Sequence, residues 1–429
     1  MAATAARSAT AVHTAAVPRR APRPAAPAAA AAVPRRQQRR ALRVSATAAP
    51  PATASPFAAV QNEEQLFRLL KAGASKGTVP PSIIAAFDEL YGNYKAAVLQ
   101  GASPGASPDF VAKVMASVCE RVLLELSPAT SYTFPSYHAS IKEPYNYFLF
   151  GQRYIRGLID FKNSVLGHAD TFKQINKQLV AGENVILIAN HQSEADPAAF
   201  ALLLEKCFPK LAEEVIYVAG DRVVTDALCK PFSMGRNLFC VHSKKHIDDV
   251  PELKAEKQAM NRRTLKAMQT ALNEGGKLLW IAPSGGRDRT IDPVTDDFMP
   301  DPFDPSAVEL MRALSAKAKP AAHIYPFAMF SYGIMPPPRV VEKEIGEKRV
   351  IGFSPVGIAA CPELDVDAIL AGVPAEDKEA RQAALAEAAF KAVQAEYDTM
   401  RAAIRDPAQR GEGKAYTQPW LAFPPVTLE

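Results

Sequence analysis

From about residue 180 to residue 330, short apolar runs alternate with stretches of helical spacing, and this alternation restricts the fold more tightly than anything else in the chain. The runs cover 185–189, 215–220, 237–242, 278–282 and 323–330. Each is too short for a stable helix, and most are rich in β-branched or aromatic residues. Between them lie helical patterns at 197–208, about 251–273 and 306–317. Strands that alternate with helices build a largely parallel sheet covered on both faces, so the expected class is α/β. Beyond Pro336-Pro337-Pro338, Val340-Val341 and 349–353 read as a hairpin joining the sheet edge. A last long helix is expected over 377–404.

The first of these runs carries the most chemistry. Residues 185–197 read Val-Ile-Leu-Ile-Ala-Asn-His-Gln-Ser-Glu-Ala-Asp-Pro. Five apolar residues make a strand buried on both faces, and Asp196-Pro197 reads as an N-cap followed by proline at the first helical position. His191 and Asp196 therefore fall at a strand-to-helix crossing, where open α/β sheets bind their ligands. Locally, the same pattern also fits a structural histidine and a capping aspartate.

Ahead of the sheet, three helical patterns follow one another, and together they predict a small helical bundle over 56–130. Asn62 caps the first, with Leu66, Leu69 and Leu70 on one face and a stop at Gly73; Pro80-Pro81 opens the second; Phe110, Val114, Val118, Val122 and Leu126 line the third. The α/β part is expected over 131–429. The aromatic stretch 127–165 reads as a wedge between the two parts or, less simply, as the lining of a ligand cavity.

Residues 1–62 hold nine arginines, no lysine and no carboxylate. These arginines outweigh the formal charge of +5 and leave −4 for the rest, which argues against a nucleic-acid partner. An acid-free leader rich in Arg, Ala, Ser and Pro reads as an organelle transit peptide over about 1–55, disordered and cleaved near 44–46. The five scattered cysteines form no paired motif, and no apolar stretch is long enough to span a membrane.

Two further strand ends carry cations. Ser243-Lys244-Lys245-His246 follows the run at 237–242, and Pro283-Ser284-Gly285-Gly286-Arg287-Asp288-Arg289 follows the run at 278–282. In a parallel sheet these loops open on the same rim as His191. Arg287 and Arg289 offer planar forks suited to phosphate, with Lys245 and His246 completing a dianion pocket. A histidine oriented by a carboxylate beside such a pocket is placed to deprotonate a hydroxyl of a phosphorylated substrate. No metal is expected, since no ligand cluster is visible.

These boxes carry a resemblance. Asn190-His191-Gln192-Ser193-Glu194-Ala195-Asp196-Pro197 resembles the His-x4-Asp box of glycerolipid acyltransferases. Ala219-Gly220-Asp221-Arg222-Val223, Lys230-Pro231-Phe232-Ser233-Met234-Gly235-Arg236-Asn237, Ser243-Lys244-Lys245-His246, the 281–289 box and Ile334-Met335-Pro336-Pro337-Pro338 are similar in order and spacing to the soluble plastid glycerol-3-phosphate acyltransferase family. The resemblance implies acyl transfer from acyl-carrier-protein thioester, or acyl-CoA, to the sn-1 hydroxyl of glycerol 3-phosphate in the plastid stroma, with no cofactor. It also implies His191 as base, Asp196 as its orienting partner, and Lys245, His246, Arg287 and Arg289 as phosphate ligands. Membrane-bound relatives carry different second and third boxes, which sets lysophosphatidate aside as the expected acceptor. A non-catalytic acyl- or phospholipid-binding protein is the alternative from another class. An acidic carrier protein needs a positive landing surface, for which Lys244, Lys254, Lys257, Arg262 and Arg263 are candidates.

Overall fold

The computed structural model describes residues 55–77, 79, 81–242, 247, 250–338 and 349–429. All of these belong to one compact unit, Ser45–Glu429. Eleven strands are defined among the described residues: β1 (Tyr137–His138), β2 (Val165–Gly167), β3 (Asn184–Ala189), β4 (Ile216–Ala219), β5 (Asn237–Cys240), β6 (Leu278–Ile281), β7 (Thr290–Ile291), β8 (Phe298–Met299), β9 (Ala322–Phe330), β10 (Gly357–Ala360) and β11 (Tyr416–Thr417). Nine of them form one sheet in the order β1-β5-β4-β6-β3-β9-β10-β2-β11, and β7 and β8 form a separate ribbon. The five central strands β5, β4, β6, β3 and β9 run parallel, as the alternation predicts.

Strand β3 sits at the centre, paired with β6 on one side and β9 on the other. Its residues are buried on both faces, and the two-residue period of a strand divides them. Val185, Leu187 and Ala189 join the apolar cluster that contains the N-terminal helices and the helix Asp196–Leu204. Ile186 and Ile188 join a second cluster with the helices Lys254–Glu274, Pro305–Ala316 and Lys378–Arg405. Each such side chain contributes about 1.5–3 kcal/mol through burial. Changing Ile188 to a charged residue would therefore disrupt the face shared by three helices.

Local signals set most helix starts. The Asn62 side chain accepts from the Gln65 amide at 3.0 Å, Ser107 caps Pro108–Leu126 through Phe110, and Asp377 caps Lys378–Arg405 through Ala380. The first helix runs on to Ser75, two residues past the expected stop at Gly73. The aromatic stretch forms the helix Tyr147–Arg156, whose Tyr154 stacks on Tyr94 at 4.6 Å while Phe150 meets Phe232 at 4.8 Å. It thus packs between the N-terminal helices and the residues leading into β5.

Two expectations are corrected. Residues 349–353 form no strand; the antiparallel partner of β9 is β10, whose Gly357–Ala360 backbone pairs with Phe330 back to Phe327. Val340-Val341 lies outside the described residues. Asp196 is not an N-cap: Ala195 holds that position, Asp196 is already helical, and its carboxylate faces the strand ends instead.

Candidate active site

Parallel strands place their C-terminal loops on one rim, and here those loops are bonded together. Asn190 follows β3 directly. Its side-chain amide accepts from Met329 N at 2.8 Å and donates to Met329 O at 2.9 Å, extending the pairing with β9 beyond the backbone. The same amide donates to Asp288 Oδ2 at 2.9 Å, and Asp288 N donates to the His191 carbonyl at 2.6 Å. The loop after β6 is therefore fixed against the loop after β3. Asp288 is fully buried, and burial pushes its carboxyl well above the ordinary range.

His191 Nδ1 lies 2.8 Å from Asp196 Oδ2, with the imidazole about a quarter exposed and the carboxylate buried. Asp196 Oδ2 also accepts from Gln192 N at 2.9 Å, and Oδ1 accepts from the Ser331 hydroxyl. Held by three donors, this carboxylate accepts a hydrogen bond from Nδ1–H, and Nε2 keeps its lone pair for another partner. The Trp280 ring meets the imidazole edge to face at 5.6 Å. Gln192 accepts from Ser331 N at 3.0 Å and donates to the Tyr397 hydroxyl at 2.9 Å, so the histidine loop is tied to the last long helix.

The other expected site residues are placed unevenly. Arg287 lies beside the dyad loop, its Nη1 3.7 Å from Glu194 Oε1. Arg289 leaves the same loop, its amide bonded to Asp301 Oδ2 at 3.0 Å and its guanidinium to the Pro338 carbonyl. Lys245 and His246, with Lys244, lie outside the described residues. Their strand, β5, runs parallel to β4 and so ends on the same rim, three strands from β3, about 14 Å at the usual strand spacing. Thr264 donates to Cys240 O at 2.7 Å, and Asn261 pairs with both backbone groups of His242, bracing the end of β5 on the helix Lys254–Glu274. On that helix Lys254, Arg262 and Arg263 are exposed and Lys257 is half-buried.

Several supporting residues escaped the sequence reading. Glu194, inside the His-x4-Asp box, accepts from Arg349 Nε at 2.8 Å, and Arg349 also reaches Asp226 at 3.2 Å. Burial opposes the Arg349 charge, but its neighbours Glu194, Cys229 and Asp226 together outweigh that and raise the guanidinium pKa. Ser331 and Tyr397 carry no motif, and only the return of β9 and the last helix brings them to Asp196 and Gln192. Among the described residues no group of three or more metal-ligating side chains converges, all five thiols are unpaired, and no helix is long and apolar enough to cross a membrane.

Comparison with known proteins bears on the same residues. Residues 171–330, which hold the dyad and the arginine loop, match the family model described as Acyltransferase. Residues 54–128 match the model described as Glycerol-3-phosphate acyltransferase N-terminal. The chain is 45% identical to a chloroplastic glycerol-3-phosphate acyltransferase of Cucurbita moschata over 375 residues, 86% of this chain and 79% of the relative. It is also 45% identical over 371 residues to the chloroplastic enzyme of Arabidopsis thaliana, covering 85% and 79%, and 46% identical over 351 residues to that of Carthamus tinctorius, covering 81% and 74%. The fold and the matched site define an acyltransferase. Within that class, the chain belongs to the glycerol-3-phosphate acyltransferase family.

Proposed function

We propose that the protein transfers a fatty acyl group from acyl-carrier-protein thioester, or from acyl-CoA, to the sn-1 hydroxyl of glycerol 3-phosphate, giving lysophosphatidate. The observation that carries this reading is the pairing of His191 Nδ1 with buried Asp196 on a loop hydrogen-bonded to the one that bears Arg287 and Arg289. Arg287, Arg289, Lys245 and His246 bind the phosphate and present the hydroxyl to His191 Nε2. The imidazole accepts the hydroxyl proton while the oxygen attacks the thioester carbonyl, and Asp196 stabilises the imidazolium. Collapse of the tetrahedral intermediate breaks the C–S bond, and His191 returns the proton to the departing thiolate. The arginine-rich leader directs the chain to the plastid stroma, in keeping with relatives named chloroplastic.

Protein truncated near residue 50 tests the reading directly. Thiol release from either donor should require glycerol 3-phosphate and stop in His191→Ala, while binding of glycerol 3-phosphate persists. Preferential acylation of lysophosphatidate in a competition assay would move the acceptor assignment. Binding of donor without any thiol release would identify a non-catalytic acyl-binding protein.

A further inference from the structure

The strands β7 and β8 have two residues each, and a two-stranded ribbon that short has no stability of its own. It nevertheless begins at Thr290, the residue after Arg289, so its placement decides where the arginine loop ends. Asp301, Tyr332 and Gln192 hold it in part, and the rest of its support comes from the last long helix, about a hundred residues further along the chain. Arg401 Nη1 bridges Asp292 at 2.8 Å and Asp297 at 3.0 Å, the two carboxylates flanking the ribbon's turn. Asp297 is buried. Burial raises its pKa, but hydrogen bonds from Tyr332, Thr295 and Arg405 outweigh that and hold the carboxyl below its ordinary range.

One helical turn before Arg401, the Tyr397 hydroxyl donates to Phe298 O on β8 at 2.5 Å and accepts from Gln192 Nε2 at 2.9 Å. Gln192 is the residue after His191. The buried Tyr397 hydroxyl therefore reinforces the link between the histidine loop and the ribbon that Gln192 Nε2 also makes directly to Phe298 O at 3.1 Å, and the arginine one turn on fixes the other end of that ribbon.

We propose that Tyr397 and Arg401 are positioning residues for the acceptor: with the bonds that Asp288 makes to Asn190 and His191, they set the distance between His191 and the Arg287–Arg289 loop, so that phosphate and hydroxyl are held at once. The inference rests on the function proposed above and extends it to residues that touch no substrate. Loosening this grip shifts the ribbon that adjoins Arg289, and with it the loop assigned to the phosphate. The loss therefore falls on glycerol 3-phosphate and spares the donor, which general destabilisation would not do.

The test is calorimetric titration of glycerol 3-phosphate into folded full chain, alongside KM for the acyl donor. Arg401→Gln should raise the Kd for glycerol 3-phosphate about tenfold with the donor KM within twofold, and Arg401→Lys, which keeps the charge but not the two-carboxylate bridge, should fall between. Asp292→Asn removes the same grip from the ribbon side, should act in the same direction, and decides the matter if Arg401→Gln does not fold. An unchanged Kd in either folded variant, or an equal rise in donor KM, overturns the positioning role. Arg287→Ala separates the two levels. Loss of glycerol 3-phosphate binding there with normal binding in Arg401→Gln removes only this inference, whereas normal binding in both removes the phosphate assignment as well.

Discussion

Asp288 donates its backbone N–H to the carbonyl of His191 at 2.6 Å, while its buried carboxyl accepts from Asn190 and from the amide of Asp301. The proposed base and the proposed phosphate loop are therefore one hydrogen-bonded object, although about a hundred residues separate them in the chain. Asp288→Ala removes an acceptor from the half-buried Asp301 amide and from the buried Asn190 side chain. It should cost about 1–3 kcal/mol in urea unfolding and lower kcat/KM for glycerol 3-phosphate. A variant as stable and active as the parent would show that the loops are held elsewhere.

Asp196→Asn tests the orienting role with almost no change in shape. Asn keeps one acceptor oxygen, and the NH2 that replaces the other only donates, so it can no longer accept from both His191 Nδ1 and the Ser331 hydroxyl as the two carboxylate oxygens do. The imidazole tautomer is no longer imposed. The expected outcome is a fall in kcat of roughly 10³–10⁴-fold with the Kd for glycerol 3-phosphate unchanged. Single-turnover rates at saturating acceptor measure it, and a kcat within tenfold of the parent removes Asp196 from the mechanism.

Arg287→Ala should act differently, because the role proposed for its guanidinium is binding rather than proton transfer. Losing one charge-assisted contact of about 1.5–3 kcal/mol raises KM for glycerol 3-phosphate about 10–100-fold and changes kcat less. Initial rates across acceptor concentration separate the two constants. Equal effects on both would place Arg287 in the reacting geometry instead.

Stability below neutral pH should carry the signature of His138 on β1. Burial pushes its pKa down to about 4, opposed by the Met234 carbonyl that its Nε2 meets at 3.1 Å; Tyr132 occupies Nδ1. Unfolded, the ring titrates near 6.5, so in acid the unfolded chain binds the extra proton and the folded chain refuses it. Stability is then full above about pH 6.5 and declines as pH falls from 6.5 towards 4, by about 2–3 kcal/mol for this group. Unfolding free energies from urea titrations at pH 7.5 and 4.5 should differ by that much less in His138→Gln than in the parent. Parallel losses in the two proteins would clear His138 of the effect.

Local chemistry explains why much of this architecture is readable from sequence. Asn62, Ser107 and Asp377 act through amides three residues away, and β3 reveals itself by five apolar residues in a row. The same locality misleads at Asp196, where a carboxylate before proline looks like a cap but is drawn to a histidine and to Ser331, 135 residues distant. Ser331 and Tyr397 have no local signature, because only the return of β9 and the last helix brings them to the dyad. Strands β1, β2 and β11 are two or three residues long, too short for any period to register.

The junction between the N-terminal helices and the sheet rests on a buried ion pair that can be dissected. Lys230 Nζ lies 2.6 Å from Glu125 Oε2, both side chains almost fully buried, and Glu125 also accepts from Tyr132 N at 2.9 Å. Desolvation cancels much of the attraction in such a pair, so its presence contributes little net stability, whereas leaving one charge behind is costly. Lys230→Met alone should therefore destabilise by about 3–5 kcal/mol, and Glu125→Gln alone should also be costly. The double variant should recover most of the loss, since an amide oxygen still serves Tyr132 N and no uncompensated charge remains. A thermodynamic cycle from urea unfolding of the four proteins measures the coupling. Additive losses would show that water reaches the pair and that the junction depends on apolar packing alone.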